Sequence, residues 1–200
     1  MTSCASPLSQ PMADTPQASP RERRLIAEWD LLQSLAHLNP ERIGDLAVED
    51  EVFSCTLHKT PALRVGTKDI VTSHRLKIVF PLYYPSVPLE LYLKTPVAHP
   101  NVHPRTGFLC LWDRHQVSNN LEHALHKTVA MLSRRLENRN PVHVMQPDLQ
   151  MLSDADYPAP GGPLLGIAHP ETAAPGIAAS GTAHAGFHPD EPPVRRRRLS

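Results

Sequence analysis

Prolines at positions 81, 85, 88, 96, 100 and 104 punctuate the middle of this chain. Each locks φ near about −65° and removes a backbone donor, so no helix runs through the stretch and strands there must be short. The run Phe80-Pro81-Leu82-Tyr83-Tyr84-Pro85-Ser86-Val87-Pro88 is a rigid turn, followed by Ala98-His99-Pro100-Asn101-Val102 and then Gly107-Phe108-Leu109-Cys110-Leu111. A cysteine just past a proline-pinned segment, with an asparagine close by, is the layout of a site that carries an acyl group on sulfur. Cys110 is therefore the residue around which the rest is read.

On the amino-terminal side, Leu25, Ile26, Trp29, Leu32, Leu35 and Leu38 fall at helical spacing. Arg21, Arg23, Arg24 and Glu28 lie mostly off that stripe, which predicts an amphipathic helix stopped by Asn39-Pro40. Trp29 reads as a core anchor. Residues 52–57 alternate as a half-buried strand with Phe53, Cys55 and Leu57 on one face, and there Cys55 behaves as a small buried hydrophobe. Leu76, Ile78 and Phe80 alternate next, then Leu89, Leu91 and Leu93. Three short strands with short connections predict an antiparallel meander backed by helices. Beyond Cys110, the spacing of Leu121, Leu125, Val129, Leu132 and Leu136 predicts a second helix from Asn120 to about Leu136, with Asn119 or Asn120 as its N-cap. Residues 138–151 are irregular but still carry apolar side chains. The fold class is α+β.

Composition splits the chain. The 22 prolines, roughly twice the usual share, gather toward the two ends. Residues 1–20 and 157–200 offer little to bury and read as disordered tails, which leaves a domain over 21–156. The formal net charge is zero, with 20 basic and 20 acidic residues, so a whole-protein electrostatic hold on nucleic acid is not expected. The run Arg195-Arg196-Arg197-Arg198 reads as a solvated tail rather than a nucleic-acid patch. Cys4, Cys55 and Cys110 show no framework spacing, which points to a reducing, cytoplasmic setting. No signal peptide and no membrane-length apolar run is present, so no membrane partner is expected.

Residues 21–150 resemble the ubiquitin-conjugating enzymes. The resemblance rests on order: a basic leading helix, a meander, the Phe80-Pro81…Tyr84-Pro85…Pro88 turn, His99-Pro100-Asn101, then Cys110-Leu111 nine residues beyond Asn101, then a long helix. It implies that Cys110 accepts the carboxyl terminus of a ubiquitin-like protein from an activating enzyme as a thioester, and passes it to an amine or thiol on a target or ligase. Sulfur is a good leaving group, so the acyl bond stays activated. By the same resemblance Asn101 orders the loop beside Cys110 or donates to an oxyanion. His99 and Pro100 support that loop, and Arg21, Arg23 and Arg24 meet the activating enzyme. No cofactor is implied.

The chain departs from the pattern in four places. The interval from Asn101 to Cys110 is one residue longer than usual, and Trp112 stands closer to the cysteine than the family's tryptophan. Asn140-Pro141 resembles the family's Asn-Pro, but Val142, His143 and Asp148 stand where an acidic or serine residue is usual, so His143 is the candidate base. The closing helices are reduced or absent. The short carboxyl end and long tails look most like bacterial members, which the resemblance links to antiphage conjugation systems.

Three other chemistries fit some of these residues. His99, His103, Cys110 and His115 are zinc-ligand types in one window, but their spacing matches no strong signature, so no metal site is expected. Cys110 and His143 could pair as in a cysteine hydrolase, although such nucleophiles usually open a helix. An inactive relative serving as an interaction module would keep the turn and lose the cysteine, so Cys110 with Asn101 favours an enzyme.

Overall fold

The computed structural model describes residues 18–67, 69–151, 158–159 and 161–167. The first helix, α1, spans Pro20–Leu38. Ser19 caps it by accepting from the Glu22 N–H, and Glu22 reaches back to the Ser19 N–H, a reciprocal box with proline at the first helical position. Leu25, Leu32 and Leu35 face the core. Trp29 is half-buried and meets Phe53 edge-on at 5.1 Å.

The sheet has four antiparallel strands in the order β1 (Ile43–Glu49), β2 (Val52–Leu57), β5 (His74–Val79) and β6 (Glu90–Leu93). A separate pair, β3 (Ala62–Leu63) and β4 (Ile70–Val71), forms between β2 and β5. Sequence periodicity missed β1 and the short β3. The pairing of β1 with β2 slips between Gly44 and Ala47, which breaks the period-2 pattern that marks a strand. The hairpin closes on Asp50 and Glu51, both at positive φ (47° and 62°). A primed two-residue turn needs that geometry, but its usual Asn-Gly or Asp-Gly signal is absent here.

The inner face carries Phe53, Cys55, Leu57, Leu76, Ile78, Leu91 and Leu93, all 3 % exposed or less. Burial pushes the Cys55 thiol up to about 12, so it is inert. The second helix, α2, spans Leu121–Leu132 and ends four residues before the expected Leu136. Arg134 there adopts a left-handed conformation (φ 55°), and the Arg135 and Leu136 N–H groups both turn back to the Ala130 carbonyl, which terminates the helix. Among the described residues these are the only α-helices.

One buried carboxylate ties three elements together. Glu28 of α1, 2 % exposed, accepts from the Tyr84 hydroxyl at 2.6 Å and from the Leu121 N–H at the start of α2 at 2.9 Å, with Arg24 at 2.9 Å. Residues 161–167, beyond the expected boundary at 156, pack on the domain. Leu164 is 5 % exposed, and the Asn39 amide pairs with the Leu165 backbone in both directions, at 2.9 and 2.7 Å. The Ile167 N–H donates to Glu122. A leucine flanked by Pro and Gly gives no periodicity to read, so only the docked conformation reveals it. Of the expected tail over residues 1–20, Ser19 and Pro20 open α1, while residues 1–17 and the arginine run at 195–198 lie outside the described residues. Among those described, no helix is long and apolar enough to cross a membrane.

Candidate active site

Cys110 sits where the chain leaves a short zipper against the sheet. The Leu109 N–H donates to the Leu91 carbonyl at 2.9 Å, and the Cys110 N–H to the Asn101 carbonyl at 3.0 Å. Leu109 and Leu111 are buried on either side, so the cysteine between them is turned the other way, half-buried rather than buried. The approach to it depends on Gly107, at φ 72°, whose position leaves no room for a side chain. A Cβ there would lie 1.9 Å from the Leu93 carbonyl oxygen, so glycine is required both sterically and by conformation.

Asn101 is fully buried, and its side chain is spent on backbone. Nδ2 donates to the Asn138 carbonyl at 2.7 Å and to the His143 carbonyl at 3.0 Å, while Oδ1 accepts from the Asn138 N–H at 2.9 Å. Both amide hydrogens are thereby committed to the 138–143 segment. Pro100 contributes its carbonyl, which accepts from the Met145 and Gln146 N–H groups at 2.7 and 3.1 Å. Gln146, which sequence reasoning did not single out, donates to the Val102 carbonyl at 2.7 Å and the His99 carbonyl at 3.2 Å. His99, 1 % exposed, accepts the Asn101 N–H on Nδ1. Burial and the nearby Arg134 guanidinium push it down to about 3, so it is neutral and structural.

The segment so held carries His143. A 3-10 turn over Pro141–His143, capped by the Asn140 side chain, places the half-buried imidazole against the cysteine. His143 Nδ1 lies 2.9 Å from Cys110 Sγ, and Nε2 lies 3.3 Å from Asp113 Oδ1. Asp113 is the member of this group that the sequence did not reveal, since it lies 30 positions before His143 in the chain. Asp148, the acidic candidate in that stretch, is exposed. Burial pushes the Cys110 thiol up, with the Asp113 carboxylate adding to the effect. A groove of about 250 Å³ opens beside Cys110, lined among others by Lys127, Met131, Leu136, Asn138 and Arg139.

The leading arginines separate into two kinds. Arg21 is bound to Glu51 and to the Phe80 and Pro81 carbonyls, and Arg24 to Glu28 and Tyr84. These two brace α1 against the proline turn, while Arg23 is exposed. His99, His103 and His115 point to separate partners: the Asn101 N–H, the Arg105 and Thr106 N–H groups, and the Pro85 carbonyl. Among the described residues no cluster of three or more ligand-type side chains is arranged to hold a metal.

Helix, four-stranded antiparallel sheet and a helix following the cysteine loop make this the α+β fold of the ubiquitin-conjugating enzymes. A solved chain assigned as a ubiquitin conjugating enzyme from Trypanosoma cruzi superposes with a TM-score of 0.51 at 16% identity, over 70% of this chain and 90% of its own. An enzyme of the same description from Plasmodium yoelii aligns at 23% identity and TM-score 0.48, over 66% and 82% of the two chains. The ubiquitin conjugating enzyme Pex4p of H. polymorpha, solved with the soluble domain of Pex22p, aligns at 20% identity and TM-score 0.47, over 65% and 85%. No protein-family model and no curated protein sequence matches this chain.

Proposed function

We propose that this chain is a thioester carrier. It accepts a ubiquitin-like protein from an activating enzyme on Cys110 and passes it to an amine or thiol acceptor. The observation that carries this reading is the position of Cys110: an accessible thiol, between two buried leucines, at the head of a groove in this particular fold. Cys55, by contrast, is sealed in the core. The groove suits the extended, glycine-ended carboxyl terminus that the resemblance implies for the modifier.

Loading forms a C–S bond to Cys110 and releases the activating enzyme's thiol. Discharge forms a bond from the acyl carbon to the acceptor and frees Cys110. In this reading Asn101, His99, Pro100 and Gln146 hold the wall of the site rather than touch the reacting atoms. Arg23, exposed and with its side chain bonded only to the neighbouring Ala18 carbonyl among the described residues, is the leading arginine best placed to meet an activating enzyme, since Arg21 and Arg24 are engaged across the domain. The resemblance extends this reading to bacterial conjugation systems of antiphage type, and the sparse cysteines support a cytoplasmic setting.

The test is intact mass of Cys110→Ser co-expressed with candidate ubiquitin-like and activating proteins. Serine would trap the carrier as a stable ester. A mass increase equal to a small modifier, absent from Cys110→Ala, supports the carrier and identifies the modifier. No adduct with any candidate overturns it in favour of an interaction module.

A further inference from the structure

We infer that Cys110, His143 and Asp113 form a proton relay, with His143 moving the proton at sulfur and Asp113 a positioning residue that holds the imidazole. The inference rests on the reading of Cys110 as an acyl carrier and says how that carrier's two half-reactions are made to run.

Three independent features converge. The 2.9 Å separation from Sγ to Nδ1 is within proton-transfer reach. Asp113 on the opposite nitrogen favours the tautomer with its proton on Nε2, which leaves the Nδ1 lone pair facing sulfur. The imidazole is also not a loose surface group. The backbone carbonyl of His143 is held by Asn101, its backbone N–H donates to the Asn140 carbonyl, and the chain just beyond it is tied to Pro100. Asn140 also reaches Asp113 Oδ1 at 3.4 Å, so the turn that presents the base steadies its orienting carboxylate.

The other charged groups around Cys110 have different engagements. Lys127 Nζ lies 4.4 Å over the Trp112 ring and donates to the Leu111 carbonyl. Glu137 lies 3.4 Å from Arg134 and 4.0 Å from Arg139. Burial and Asp113 both raise the Cys110 thiol, so at neutral pH the sulfur needs a base beside it to become a nucleophile. Among the described residues His143 is the one placed to be that base.

The chemistry balances without any co-reactant. On loading, the Cys110 sulfur attacks the incoming thioester carbonyl and its proton passes to His143 Nδ1. The old C–S bond breaks, and the departing thiolate takes that proton. On discharge to an amine, nitrogen attacks the acyl carbon and its surplus proton passes to Nδ1. The bond to Cys110 breaks, and the proton returns to sulfur, giving an amide and the free thiol. The same base serves both directions, as microscopic reversibility requires.

The experiment is alkylation of the full-length protein by iodoacetamide from about pH 5 to about pH 10, read at the Cys110 peptide by mass spectrometry. Wild type should react readily at neutral pH, because His143 Nδ1 accepts the proton as the Cys110 sulfur attacks. His143→Gln should lower the neutral-pH rate roughly tenfold or more and move the inflection upward. Asp113→Asn should fall between them, with Asp113→Glu restoring part of the loss, and thermal unfolding of each variant confirms that it is folded. Coincident pH profiles for wild type and His143→Gln would overturn the relay, even where the Cys110→Ser adduct forms and the carrier reading stands. The expected profiles without any adduct would support the pairing while the carrier reading failed.

Discussion

Replacing Asn101 by alanine tests whether the wall of the site is held as described. The substitution removes three hydrogen bonds, at 2.7, 3.0 and 2.9 Å, that join a fully buried side chain to the backbone of Asn138 and His143. Each such bond contributes about 1 kcal/mol net, and more where the abandoned partner is sealed from water. The partners here are partly open to solvent, so the lower figure applies to each and the total is about 3 kcal/mol. For a domain of this size that corresponds to a fall in Tm on the order of 10 °C. The assay is thermal and urea unfolding of the full-length protein. Asn138→Ala is the comparator, because it leaves untouched the backbone atoms that Asn101 uses. Loss of the latch also frees the His143 carbonyl, so the alkylation profile of Cys110 should move toward that of His143→Gln. A loss of stability below about 1 kcal/mol, or an unchanged Cys110 profile, would refute the argument that Asn101 positions His143.

Gly107→Ala should be among the most damaging small changes, by about 3 kcal/mol or more, because it adds a 1.9 Å clash with the Leu93 carbonyl to a strained φ of 72°; an unaltered urea midpoint would contradict it. His99 should make the domain labile to acid. Its folded value of about 3 lies below the ordinary 6.5, so its contribution is complete above about pH 6.5, declines as the unfolded chain takes up the proton, and levels off below about pH 3. The fall should reach a few kcal/mol, and His99→Gln, though less stable at neutral pH, should flatten the slope of unfolding free energy against pH over that window.

The helices and three of the four sheet strands were legible in the sequence because apolar spacing records which face of an element is buried, and that is local information. Leu25, Leu32 and Leu35 declare α1 as plainly as Leu76 and Ile78 declare β5. β1 was not legible, because a bulge after Gly44 and a turn on Asp50-Glu51 erase both its period and its punctuation. The docked segment around Leu164 was hidden for a related reason: a single buried leucine among prolines and glycines has no neighbour at a telling interval.

The site divides in the same way. Cys110, Asn101 and His99 could be named from a short window in which prolines restrict the backbone, and His143 from its place after Asn140-Pro141. What each side chain does was decided by packing. Asn101 turns its amide to backbone carbonyls, Arg21 and Arg24 brace the proline turn, and His143 reaches sulfur from 33 residues away. Asp113 had no signature at all, since an exposed aspartate next to a tryptophan acquires a role only from the imidazole that folds against it. Period and proline act through adjacent residues, and so survive in the sequence. Hydrogen-bond partners and proton paths depend on distances between segments far apart in the chain, and those distances exist only once the domain has closed.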